Sequence, residues 1–174
     1  MESRAKIFGH PAHQILIVFP LGLLGTSVVF DLIYWFTGNP TFSEVGFWMT
    51  VSGVIGGLIA SPFGTIDWLA IPQGTRAKRV GLIHGGGNFL VTALFALSAY
   101  LRLGDSQGHE PDGFTLILSL TGFMLAMVTG WLGGELVDRL GVGVDDGAHL
   151  DAPSSLSRRK ASETVTGEER ERVF

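Results

Sequence analysis

The 174-residue chain contains no cysteine, which removes disulfides, thiolate zinc sites, protein-held iron–sulfur clusters and covalently attached c-type haem from consideration. Charge is scarce as well. Only 16% of the residues are Asp, Glu, Lys or Arg, against about 25% in a typical soluble domain. The formal net charge is −4 and no basic patch interrupts the chain, so the electrostatic footprint of a nucleic-acid binder is missing. Also missing is the period-two alternation that marks a barrel strand.

What the chain has instead is four long apolar blocks, at residues 15–36, 46–71, 80–101 and 113–134. Each meets the need for about 20 mainly apolar residues to cross a bilayer as a helix. Trp35, Trp48, Trp68 and Trp131 fall near block ends, where amphipathic rings sit at the headgroup level. With their ends included, the helices are expected over about 14–36, 46–71, 79–102 and 113–137. Short connectors make sequential helices antiparallel, which predicts an all-α, up-down bundle of four transmembrane helices. The first block is too long for a signal peptide and lacks a small-residue cleavage site, so it is expected to remain as the first span. Arg4, Lys6, Arg76, Lys78, Arg79 and Arg139 belong to the end that holds both termini, and only Arg102 belongs to the other. The positive-inside rule then puts both termini in the cytoplasm.

Residues 1–144 therefore read as one transmembrane domain. From Asp145 onward the chain turns polar, charged and Ser/Thr-rich without an apolar period, and 145–174 is expected to be a disordered cytoplasmic tail.

The polar residues within the blocks carry the functional question. His10 and His13, Asp67, His84 with Asn88, and Glu135 all fall at the terminus-bearing end once the helices alternate in direction. Ionisable groups in the membrane are expensive to bury and are functional candidates by default. Each also has a plainer reading: His10 beside Pro11 at a helix start, His13 and Glu135 solvated at the interface, Asp67 paired with Arg76 or Arg79. His84 lies deeper and calls for a specific partner. The "HGGGN" stretch that begins at His84 places three glycines in a helix interior, each costing on the order of 1 kcal/mol relative to alanine in water. Close helix packing or a planar cofactor against bare backbone would recover that cost. Asp31 lies near the opposite end of the first span, and Tyr100 or Ser98 stands at a similar depth to accept or donate a hydrogen bond.

"GHPAHQILIVFPLGLL", "GTIDWLAIPQGTRAKRVGLIHGGGN" and "GWLGGELVDRLGVGV" resemble the bacterial membrane family catalogued as domain of unknown function 2231, over about residues 8–150. Relatives often carry a further histidine just before the Phe-Pro of the first span, where this chain has Val18. Some relatives are fused to Rieske-type or cytochrome c-type modules, and the bundle is similar to that of b-type cytochromes. The resemblance implies a place in the bacterial inner membrane and a redox or haem-linked role.

Three readings stay open at this point. In the first, the bundle binds haem b through His84 and His13 (or His10), supported by Asn88, and passes electrons to a quinone or a redox-protein partner. In the second, His10, His13, Asp67, His84 and Glu135 hold a zinc, iron or manganese ion, structural or hydrolytic. In the third, the protein is a non-catalytic subunit of a homo-oligomer or larger membrane complex whose polar layer satisfies itself. A transporter is disfavoured, since the two halves offer no pair of matched, broken helices.

Overall fold

The computed structural model describes residues 1–104 and 109–165. A two-stranded hairpin, β1 (Lys6–Ile7) and β2 (His10–Pro11), leads into α1 (Ala12–Leu16), α2 (Val18–Thr37), α3 (Pro40–Ala70), α4 (Arg76–Arg102) and α5 (Gly113–Gly134), with a π-helical turn over Glu135–Arg139. The four spans are Ala12–Thr37, Pro40–Ala70, Arg76–Arg102 and Gly113–Arg139. They lie where the apolar blocks predict them; α3 and α4 start six and three residues earlier than expected, at their caps, and α5 starts where expected. Asn39, Thr75 and Asp112 cap α3, α4 and α5 by accepting from the amides of Thr41, Lys78 and Thr115.

The two prolines inside helices have different outcomes, for a local reason. Proline has no N–H to offer the carbonyl four residues earlier. Pro20 leaves the Leu16 carbonyl without its helical donor, and the helix is interrupted at Ile17, between α1 and α2. In α3 the corresponding carbonyl is that of Leu58, and the Ser61 hydroxyl bonds it at 3.1 Å. That helix runs on unbroken through Pro62.

Around the bundle, α2 packs on α3 and α5, and α4 packs on α3 and α5, so α2 and α4 are diagonal. The packing is inverted relative to a soluble bundle. Phe19, Phe36, Ile59, Phe89, Met124 and Trp131 face outward, whereas Ser27, Asp31, Ser43, Thr50, Ser98, Arg102, Ser119 and Thr129 are buried. Lipid tails are as apolar as leucine, so outward apolar side chains cost nothing there and the interior is free to be polar and small.

The halves of the chain repeat each other. The buried residues of α2 are Pro20, Leu24, Ser27, Val28 and Asp31; 71 residues on, in the same order, Val91, Phe95, Ser98, Ala99 and Arg102 are buried in α4. In α3, Gly46, Phe47, Thr50, Gly53, Ala60 and Asp67 are buried. Their counterparts 69 residues later, Thr115, Leu116, Ser119, Gly122, Thr129 and Leu136, are buried as well. Leu24 sits over Gly53, where an added Cβ would come within 2.6 Å of its side chain, and Phe95 sits over Gly122 at 2.8 Å. Two helical hairpins of the same direction are thus related by a pseudo-twofold axis along the bundle. Residues on such an axis meet their own counterparts.

At one end of that axis the counterparts are Asp31 and Arg102. Their side chains are 0% and 1% exposed and form a double hydrogen bond, 3.0 Å in each arm. Arg102 also donates to the carbonyls of Ser43 (3.0 Å) and His109 (2.7 Å). Neither Tyr100 nor Ser98 partners Asp31: Ser98 bonds the Thr115 carbonyl and Ser119. Gly46 makes room for the carboxylate, since a Cβ there would lie 2.6 Å from its oxygen.

Removing one partner of a buried ion pair leaves an uncompensated charge. Asp31→Leu is therefore expected to lower stability by about 3–5 kcal/mol, and the double variant Asp31→Leu/Arg102→Met to recover most of that loss. Denaturant unfolding in detergent micelles measures both.

Candidate functional site

At the other end of the axis, about 27 Å away at 1.5 Å per residue, the counterparts are His13 on α1 and His84 on α4. Their ring centroids are 6.4 Å apart and the rings are nearly perpendicular, at 88°. Each imidazole is held in the same way. His13 Nδ1 donates to the Ala60 carbonyl on α3 at 3.1 Å, and His84 Nδ1 donates to the Thr129 carbonyl on α5 at 2.8 Å. Each ring also lies against the glycine one turn past that carbonyl. A Cβ at Gly64 would stand 2.9 Å from His13 Nδ1, and one at Gly133 would stand 3.1 Å from His84 Cε1. Ala60 and Thr129, and Gly64 and Gly133, are repeat counterparts.

A carbonyl can only accept, so both Nδ1 atoms carry a proton, and in the neutral form of each ring the lone pair is on Nε2. Asn88, one turn along α4, lies against His84. Its Nδ2 stands 3.4 Å from Nδ1 and 3.2 Å from Nε2. Such near-equal distances place the amide over the ring or beside Cε1 and not along the in-plane lone pair of Nε2. The amide itself is fixed, donating to the His84 carbonyl at 3.0 Å and accepting from the Thr129 hydroxyl at 2.9 Å. Thr129, with no distinguishing motif in the sequence, therefore holds both His84 and Asn88.

The other candidates do not join this pair. The Asp67 carboxylate accepts from the Ser3 hydroxyl (2.9 and 2.8 Å) and the Arg4 amide (2.7 Å), and neither Arg76 nor Arg79 is its partner. Glu135 forms an ion pair with Arg76 at 2.6 Å. His10 is exposed, with Nε2 3.2 Å from the Ser155 hydroxyl. Among the described residues no three or more His, Asp or Glu side chains are grouped to hold a metal ion.

Asp67 instead anchors the residues before α1 across the terminus-bearing end. Lys6 reinforces this cover by bonding Asp145 (2.6 Å) and Glu2 (2.9 Å), partners that raise its ammonium pKa, Asp145 most. Of the segment 145–174, residues 145–165 are described and carry turns and one 3-10 turn, Ser155–Ser157; the remainder lies outside the described residues. Lys78 turns inward, its ammonium bonding the Trp68 carbonyl at 2.7 Å and standing 4.1 Å from the Trp68 ring centre.

Residues 9–146 match the family described as "Predicted membrane protein (DUF2231)". The chain belongs to this family. No match is found among curated proteins or among solved structures.

The glycine run after His84 divides in two. A Cβ at Gly87 would fall 2.5 Å from Thr129 Cγ2, whereas nothing lies within 4 Å of one at Gly85 or Gly86. Gly87→Ala is expected to lower the melting temperature in detergent. Gly85→Ala and Gly86→Ala are expected to leave it unchanged or raise stability by up to about 1 kcal/mol each.

Proposed function

We propose that this membrane protein holds one metal centre between His13 and His84, a b-type haem iron that passes electrons. The observation that carries the reading is the pair of imidazoles 6.4 Å apart, each tethered through Nδ1 to a backbone carbonyl. Metal-bound histidines characteristically donate their second N–H to a carbonyl or carboxylate, which fixes the tautomer and the ring orientation. The donor set fits: His13 and His84 would hold the iron from diagonal helices through Nε2, since the Ala60 and Thr129 carbonyls take the Nδ1 protons. Bound haem would supply one-electron chemistry.

A single ion, without a macrocycle, is the second reading. An ion needs no room beyond that between the two rings, 6.4 Å apart, and two surface recesses lie elsewhere, of about 310 Å³ at Leu23, Glu44 and Trp48 and about 300 Å³ at Ile71, Arg76 and Leu140. Neither includes either histidine. Imidazole nitrogens suit copper and zinc as well as iron.

The end with both termini carries six of the basic residues near the spans. Arg102, the one such residue at the other end, is buried in its ion pair. That asymmetry supports cytoplasmic termini in a bacterial inner membrane, so a quinone or redox protein would meet the centre from the cytoplasmic half.

Protein purified in detergent is expected to show a Soret band that shifts on dithionite reduction and is absent from His84→Ala. A colourless protein with one equivalent of copper, zinc or iron by elemental analysis supports the ion instead. Protein with neither leaves the imidazoles a packing role.

A further inference from the structure

We infer that the two imidazoles, although counterparts in the repeat, are unequal ligands: His84 is the permanent one, and the His13 side is an exchangeable position open to a small neutral ligand such as free imidazole. The inference rests on the metal-centre reading above and adds a second binding function to it.

Three differences between the counterparts carry it. First, the support is one-sided. His84, Thr129 and Asn88 form a closed loop, in which His84 Nδ1 donates to the Thr129 carbonyl, the Thr129 hydroxyl donates to Asn88, and the Asn88 amide lies against the His84 ring. The counterpart of Asn88 is Ile17 and that of Thr129 is Ala60. His13 is left with a single, longer hydrogen bond of 3.1 Å to a carbonyl. Groups that orient a ligand are worth about 10–100-fold in metal affinity; both rings have the carbonyl behind Nδ1, and only His84 has a further amide against its ring.

Second, the two backbones differ. His84 belongs to the 27-residue helix α4, which is unbroken through the repeat counterpart of Ile17. His13 belongs to the five-residue α1, which ends one turn later because Pro20 cannot bond the Leu16 carbonyl. Displacing a ring on a five-residue helix beside an interruption disturbs less regular backbone than displacing one in the interior of α4.

Third, His13 Nε2 makes no hydrogen bond among the described residues, so nothing else fixes that end of the ring. The incoming ligand is set by what it would replace, an uncharged imidazole that offers one nitrogen lone pair.

The test compares wild type, His13→Ala and His84→Ala, purified in detergent from the same expression host. Metal per protein is read by elemental analysis, which counts haem iron and a bare ion alike, with and without added imidazole. The expected result is that His13→Ala keeps most of the wild-type metal and gains tightness of retention when imidazole is present, while His84→Ala falls by at least about 10-fold. Asn88→Leu is expected to weaken retention in the wild-type background, moving it toward the loss seen with His84→Ala. Should His13→Ala fail to fold, His13→Gln, which still offers an amide to the Ala60 carbonyl, replaces it. Metal-bearing wild type with equal loss in both histidine variants, or with no imidazole response, overturns this inference and leaves the metal centre standing. Wild type without metal overturns both.

Discussion

The arrangement depends on what four apolar helices can recognise in one another once water is gone. Between lipid-exposed helices burial of apolar surface provides no net drive, and association rests on close packing and on polar contacts. Here those contacts are concentrated on one line. A double hydrogen-bonded Asp31–Arg102 pair closes one end of the bundle axis, and two carbonyl-tethered imidazoles close the other. Between them, Leu24, Val28, Val91 and Phe95 form the apolar core, with Leu24 and Phe95 seated on Gly53 and Gly122, where the backbones approach. The register of the bundle follows, because sliding any one helix would separate a charge or a ring nitrogen from its partner in a medium that offers no replacement.

The same axis explains why the site pairs the residues it does. Helices at diagonal corners share few contacts, and side chains from them meet only at the centre. His13 and His84 occupy equivalent places in equivalent hairpins, so their meeting is a consequence of the repeat. The repeat also explains a charged pair inside a membrane. Identical residues on the axis would bring like charges together, and the divergence of the two halves to Asp and Arg turns that position into an attraction. At the histidines the halves kept the ring and diverged around it, with Asn88 and Thr129 on one side and Ile17 and Ala60 on the other.

Much of the site was legible in the sequence, though unevenly. His84 stood out because it lies deep in a span, and His13 because it precedes one. That they meet was a matter of depth, which helix rise and alternating direction supply. Asp67, Glu135 and His10 share that depth and yet face other partners, because depth does not say which way a side chain points around its helix. Their actual partners, Ser3 and the Arg4 amide, Arg76, and Ser155, belong mostly to segments outside the spans, where no periodicity constrains the chain. Asp31 was assigned to a hydroxyl on the third span because Arg102, at the edge of that span, read as an interfacial charge.

By itself the sequence determined the number of spans, their limits to within six residues, their up-down order and the end at which the histidines gather. These follow from apolar length and connector length, which are local properties. Only the tertiary structure decided the internal repeat and the pairing along its axis. The two halves share few identical residues and are alike mainly in which positions are buried. Burial in a lipid-facing bundle leaves little trace in hydrophobicity, because inward and outward positions are both permitted to be apolar. What separates them is small size and polarity at the shared axis, and that becomes visible when the four helices stand together.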